Sequence, residues 1–211
     1  MFLIIIGPPG AGKGTQAKRL AETLGLVHLS TGEIFRENIS NKTDLGMNVK
    51  MLLDGGTLVP DNLTIELVQD RIDQFSHDQG AIFDGFPRNL EQAKALEDML
   101  LVNGSGVDLA LLISLDDSTV IDRLTGRRTD MDTGKIYHLT YDPPPNDANI
   151  EQRSDDSRDT VVRRLEEYHA TTVPILSYYD ESSLLCEIDG ENTIDEVTED
   201  LLKEIRGRVL V

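Results

Sequence analysis

The sequence is short of cysteine, of positive charge and of long apolar runs, and each shortage removes a class of protein. Its single cysteine, Cys186, has no partner in the chain, which excludes an intramolecular disulfide framework and a cysteine-based zinc site. Lying in the apolar run LLCEI, it reads as a small buried hydrophobe. The run Phe2 to Ile6 is too short for a signal-peptide core and lacks a basic flank, and no other stretch approaches a membrane span. A cytoplasmic, soluble protein is expected. Lysine and arginine number 20 against 38 aspartates and glutamates, a formal charge of −18, and a field of that sign repels nucleic acid and anionic lipid alike. An anionic ligand must therefore find a local cationic pocket. Arginine outnumbers lysine 13 to 7 and aspartate outnumbers glutamate 23 to 15, which suggests an acidic solvated shell with arginines reserved for particular tasks. Adaptation to a salt-rich cytoplasm is a hypothesis that this shell raises.

What is present is an alternating pattern. Short apolar runs at 2–6, 26–29, 81–86, 109–115 and 184–188 are separated by stretches of helical period at 12–24, 62–75, 90–102, 118–124, 158–180 and 194–205. That alternation predicts an α/β fold with a parallel sheet covered on both faces, in one compact unit of 211 residues. Two segments break the rhythm. From Ser30 to Val59 two short helical pieces are expected, the first opening on Ser30-Thr31-Gly32-Glu33 with capping-box spacing, the second closing at Asp54-Gly55-Gly56. From Gly126 to Asp156 the chain is polar, with a triple proline at 143–145, and reads as either disordered or a functional cover.

The first strand runs into GPPGAGKGT and then a helix, the setting in which a phosphate-binding loop works. Gly7, Gly10, Gly12 and Gly14 remove Cβ atoms so that successive backbone N–H groups can form one concave nest at a helix start. Lys13 would reach the β and γ phosphates, and the Thr15 hydroxyl is available to phosphate or magnesium. The strict pattern wants Ser or Thr directly after the lysine; Gly14 stands there instead. Asp84 ends the run AIFD, where a strand tip would set its carboxylate beside the loop and its magnesium. Gly85 permits close approach of a base or ribose, Arg88 faces the same crevice, and Gln92 follows on the same helical face. An amide there can both donate to and accept from an adenine edge. His28, His77, His138 and His169 show no ligand spacing.

In order, GPPGAGKGT, STGEIFR (30–36), FDGFPRNLEQ (83–92), DRLTGRR (122–128), IYH (136–138), RSDD (153–156) and VVRRLEEYH (161–169) resemble the adenylate kinase family over nearly the whole chain. The resemblance implies a P-loop kinase fold with a five-stranded parallel sheet. Its core would be 1–29, 60–125 and 157–211, with an AMP-binding insertion at 30–59 and a lid at 126–156. It implies the reaction Mg·ATP + AMP to two ADP, with ATP, AMP and ADP as the only partners, Mg²⁺ arriving with ATP, and a monomeric enzyme. The implied ATP side is Gly10, Ala11, Gly12, Lys13, Gly14, Thr15, Arg123, Arg127, Ile136, Tyr137 and Asn192. The implied AMP side is Thr31, Arg36, Thr57, Leu58, Val59, Gly85, Phe86, Arg88, Gln92, Arg153 and Arg164. Lys13, Asp84, Arg88, Arg127, Arg153 and Arg164 would carry the chemistry, while Arg128, Arg158 and Arg163 read as surface or ion-pair residues. Some relatives staple the lid with four zinc-binding cysteines; this lid has none, so a network through Asp130, Thr133, His138, Asp147 and Asn149 is expected in place of structural zinc. A UMP/CMP kinase shares the scaffold, and Asn89 leans toward it, whereas Thr31, Gln92 and the long lid lean away. A noncatalytic nucleotide sensor is the rival from another class.

Overall fold

The computed structural model describes residues 1–76 and 79–209, which leaves His77 outside the described residues. The chain begins with β1 (Phe2–Ile6), α1 (Lys13–Leu24) and β2 (Val27–Ser30). Next come α2 (Thr31–Ser40), α3 (Asp44–Asp54), α4 (Asp61–Ile72), β3 (Ala81–Asp84), α5 (Leu90–Val102), β4 (Leu109–Ser114) and α6 (Asp117–Gly126). Three short strands follow, β5 (Arg127–Asp130), β6 (Ile136–His138) and β7 (Ile150–Glu151). A 3₁₀ turn (Ser154–Asp156), α7 (Arg158–Glu167), a π-helical turn (Tyr168–Thr172), α8 (Pro174–Glu181), β8 (Leu185–Asp189) and α9 (Ile194–Arg208) complete it.

The main sheet is parallel throughout, in the order β2-β3-β1-β4-β8. Alternate residues of β1 feed opposite cores, as a strand covered on both faces requires. Ile4 and Ile6 join Phe83, Phe86, Leu96 and Tyr179 on one face. Leu3 and Ile5 join Leu20, Leu111 and Leu201 on the other. Each such side chain contributes about 1.5–3 kcal/mol on burial, so the strand order is strongly specified. The register Ile5↔Asp84 sets the tip of β3 beside the end of β1, at the carboxyl edge of the sheet where open α/β folds bind ligands.

Where pattern and structure differ, local chemistry explains it. The period at 158–180 predicts one helix, but Pro174 has no N–H to give and its ring crowds the preceding turn. The chain widens there into the π-helical turn, closed by Val173 N–H donating to the Tyr168 carbonyl at 3.0 Å. At the start of α2 only half of the expected capping box forms. Ser30 Oγ accepts the Glu33 N–H, while the Glu33 carboxylate turns to Lys18 at 2.7 Å. The reciprocal box occurs instead at Thr193 and Glu196, opening α9. The helix expected over 62–75 ends at Ile72, and the run 81–86 is strand only to Asp84, since Gly85 takes φ +77°. The polar segment 126–156 is ordered as a small antiparallel sheet, β6-β5-β7. No helix among the described residues is long and apolar enough to cross a membrane.

Candidate active site

The glycine loop leaves β1 and turns into α1 through Gly10 and Gly12, at φ +83° and +86°, a region that favours residues without a Cβ. A Cβ at Gly12 would meet nothing within 4 Å, so the N-terminus of α1 faces open space. Lys13 Nζ, by contrast, folds back onto the loop and donates to the carbonyls of Gly7 (2.7 Å) and Pro8 (2.8 Å). Burial lowers its pKa to about 7, helped by repulsion from Arg88, Arg164 and Arg127 and resisted by Asp84. Asp84 stands against the loop: a Cβ at Gly14 would lie 3.3 Å from its Oδ2. Burial works to raise the Asp84 carboxyl, but His28, Lys13 and Ser30 together hold it below the ordinary aspartate value. Ser30 Oγ donates to Oδ2 at 3.0 Å, and His28 Nε2 stands 3.5 Å away in a buried position without a hydrogen bond of its own.

One cavity of about 130 Å³ opens beside this loop, between α2, the 53–59 segment, the Gly85–Arg88 turn and α7. Thr31, Arg36, Thr57, Leu58, Val59, Gly85, Arg88, Gln92 and Arg164 line it together with Lys13. Gly85 is required there: a Cβ would stand 3.0 Å from Thr31 Oγ1 and 3.1 Å from Arg88 Nη2. Arg88 is held through its main chain and Nε. Its N–H donates to Gln92 Oε1, its Nε to the Gly85 carbonyl, and its own carbonyl accepts from Thr172 Oγ1. Its Nη groups bond nothing among the described residues and face the cavity. Burial and the neighbouring Arg164 lower its pKa to about 10.

Further cations stand nearby. Burial first, then the charges of Arg127 and Arg36, lowers Arg153 to about 9. Arg127 grips the fully buried Asp156 with two bonds of 2.9 and 2.6 Å, which ties β5 to the 3₁₀ turn and joins both ends of the 126–156 segment. Arg164 pairs with Asp155 at 2.6 Å. Lys13, Arg36, Arg88, Arg127, Arg153 and Arg164 thus feel one another's charge, answered chiefly by Asp84, Asp155 and Asp156. In a chain of charge −18 this is the local cationic pocket an anion needs.

A family model described as adenylate kinase matches residues 5–184. The adenylate kinase of Clostridium novyi is 44% identical over 214 residues, covering 98% of this chain and 99% of the relative. Those of Fusobacterium nucleatum and Streptomyces coelicolor are each 42% identical, over 95% and 98% of this chain and 96% and 99% of the relatives. The chain belongs to the adenylate kinase family. It is accordingly a nucleoside-monophosphate kinase, and the parallel five-stranded sheet fits the family's P-loop fold.

The adenylate kinase motifs do not all fall on one wall. Arg123, Ile136, Tyr137 and Asn192 lie outside the cavity, with Ile136 and Asn192 exposed. The Phe86 ring is buried in the core between Gly85 and Arg88 of the cavity turn. Arg164 lines the cavity, while Arg163 bonds Thr160 and faces outward. Arg128 bonds the carbonyls of Thr125 and Arg127 rather than an acid. In the 126–156 segment, Asp130 Oδ1 accepts the N–H of Asp132, Asn149 donates to Asp132, and Tyr141 Oη donates to Asp122 at 2.6 Å. No group of three His, Cys, Asp or Glu side chains that could hold a metal occurs among the described residues. Sequence reasoning missed Glu167, Tyr168, Thr171 and Thr172 as cavity walls. The signal that could have found Thr172 was Pro174, which forces the turn that presents it.

Proposed function

We propose that the chain transfers the γ-phosphoryl of ATP to AMP, giving two ADP, with the acceptor in the cavity and the donor over the glycine loop. The observation that carries this reading is the convergence of Lys13 and five arginines on the crevice between loop and cavity. The attacking group, an AMP phosphate oxygen, is already largely ionised, its second pKa being about 6, so no protein base is required. The work of the chain is alignment of two polyanions and dispersal of charge on the moving phosphoryl group. Arg36, Arg88 and Arg164 hold the acceptor phosphate, Arg127 and Arg153 join from the lid, and Lys13 exchanges its two loop carbonyls for phosphate oxygens.

Magnesium fits the donor set. Asp84 offers one ionised carboxylate at the foot of the loop, and the Thr15 hydroxyl has no partner among the described residues. That matches an ion that keeps several waters and takes one or two protein oxygens beside phosphates. When bound it would neutralise phosphate charge. Water is the competing acceptor, so residues 30–59 and 126–156 act as covers. Ser154 Oγ already donates to Asp54, joining one cover to the other. The same reading makes the enzyme monomeric and cytoplasmic, with no nucleic-acid or membrane partner for a chain of charge −18. It extends to a salt-rich setting, for which the melting temperature should rise across molar KCl; a flat response would refute it.

The test of function is a panel of monophosphate acceptors with Mg·ATP. ADP should form with AMP and fall sharply with UMP and CMP. Preference for a pyrimidine would transfer the chain to the UMP/CMP reading, and no turnover with any acceptor would leave a sensor.

A further inference from the structure

Gln92 enters the acceptor cavity with only 1% of its surface exposed, and its amide is already half used. Its Oε1 accepts the Arg88 N–H at 2.8 Å, and its Nε2 donates to Asp61 Oδ1 at 2.6 Å. An amide offers two N–H donors and two acceptor lone pairs, so one donor and one lone pair remain for a base. Which side of the amide carries the donor decides which base it can read.

Asp61, together with the Arg88 N–H, fixes that choice. It stands at the first turn of α4, across the crevice from α5, 31 residues from Gln92 in sequence. Asn89 caps α5 by accepting the Gln92 main-chain N–H through Oδ1 at 2.9 Å, which leaves its Nδ2 to donate to both Asp61 oxygens at 2.9 Å. A main-chain N–H can only donate and an ionised carboxylate can only accept. The polarity of the network therefore runs one way, from the fixed N–H groups of Arg88 and Gln92 through the two amides to Asp61. A Gln92 amide turned by 180° would set its oxygen against the Asp61 carboxylate and its NH₂ against the Arg88 N–H. Each is a repulsive, unsatisfied contact at an amide that is only 1% exposed, where an unmet polar group is costly.

We propose that Asp61 is a positioning residue for base specificity: it locks the Gln92 amide in the orientation complementary to a 6-aminopurine and rejects 6-oxopurines. Adenine presents an acceptor at N1 and a donor at N6, whereas hypoxanthine and guanine present a donor at N1 and an acceptor at O6. Only a reversed amide pairs with the second pattern. The inference rests on the reading of Gln92 as the adenine reader, and it adds what makes that reader selective.

The test is kcat/KM for AMP and for IMP, with Mg·ATP, in Asp61→Ala and Asp61→Asn. Alanine admits water, which accepts and donates alike, and asparagine keeps the volume while allowing either polarity. In both, the AMP-to-IMP ratio of kcat/KM should fall about ten-fold or more, with the KM for ATP within two-fold of wild type. General damage to the cleft would lower both substrates by one factor and leave the ratio, and an unchanged ratio in either folded variant overturns the proposal. Gln92→Leu separates this failure from that of the underlying reading. If it leaves AMP turnover intact, Gln92 reads no base and both fall. If it collapses AMP turnover while the Asp61 variants keep the wild-type ratio, only the lock falls.

Discussion

The segments 30–59 and 126–156, proposed above as covers, are built on different physics. Residues 30–59 bury Phe35, Val49 and Val59 in a small cluster, with Ile39, Leu45 and Leu53 and, from α4, Leu63 and Leu67 packed against it. Residues 126–156 bury only Asp130 and Asp156, and leave Met131, Ile136, Leu139, Tyr141 and Ile150 exposed. The acceptor cover is thus held by hydrophobic burial. The lid is held by strand pairing, turn hydrogen bonds and the Arg127–Asp156 pair, where each neutral bond is worth about 0.5–1.5 kcal/mol net. A segment of the second kind opens locally at low cost. Residues 30–59 supply many walls of the cavity, whereas 126–156 supplies only Asp155, and Arg123, Ile136 and Tyr137 lie outside it.

The most damaging change should be one that removes the cation serving both halves. Lys13→Met is expected to keep the melting temperature and to lower turnover by about 10³-fold; steady-state kinetics with native activity would remove the glycine loop from the account. Arg88→Ala strikes the acceptor half alone. It should reduce kcat/KM for AMP by about 10²-fold with little change in the KM for ATP, and equal losses for both substrates would dissolve the division. Phe35→Ala should loosen the acceptor cover by about 3 kcal/mol, seen as faster hydrogen exchange across 31–59 without faster exchange in the lid. Ile136→Ala should change stability by less than about 0.5 kcal/mol yet raise the KM for ATP.

The smallest expected effect is a pH response in residues 127–151. The Asp132 N–H, with Thr133, holds the Asp130 carboxyl below its ordinary 3.8. A carboxyl so lowered stabilises the fold above its unfolded value, and that contribution is lost as pH falls through the folded value. Protection factors in 127–151, which allow for the slower intrinsic exchange at low pH, should therefore fall below about pH 4 by more than those around the Phe35 cluster. An equal fall in both segments would contradict the contrast.

The sequence made legible what short-range pattern encodes. The glycine loop, the strand-tip Asp84, the two short helices before Val59 and the parallel sheet follow from Cβ-free positions, apolar runs and turn residues within a few positions of one another. The lid sheet was invisible because β5 is RRTD and β7 only two residues long, so neither shows an alternating apolar face. The packing that holds Arg164 was not legible, since Gly56 leans on it so closely that a Cβ would stand 2.9 Å from its Cγ. Phe86 lay inside a recognised motif, yet the core claims its ring. Asp61 carries no local signal because its partners lie on another helix.

The central claim is that a partly buried lysine of lowered pKa and its neighbouring arginines wait for a polyanion. Isothermal titration of a bisubstrate analogue, two adenosines joined by a polyphosphate, tests it directly when repeated at pH 8 in buffers of different ionisation enthalpy. Lys13, lowered to about 7 in the free protein, should regain its proton as phosphate enters, so binding one analogue per chain should take up close to one proton. Binding without proton uptake, or no binding, would contradict the account.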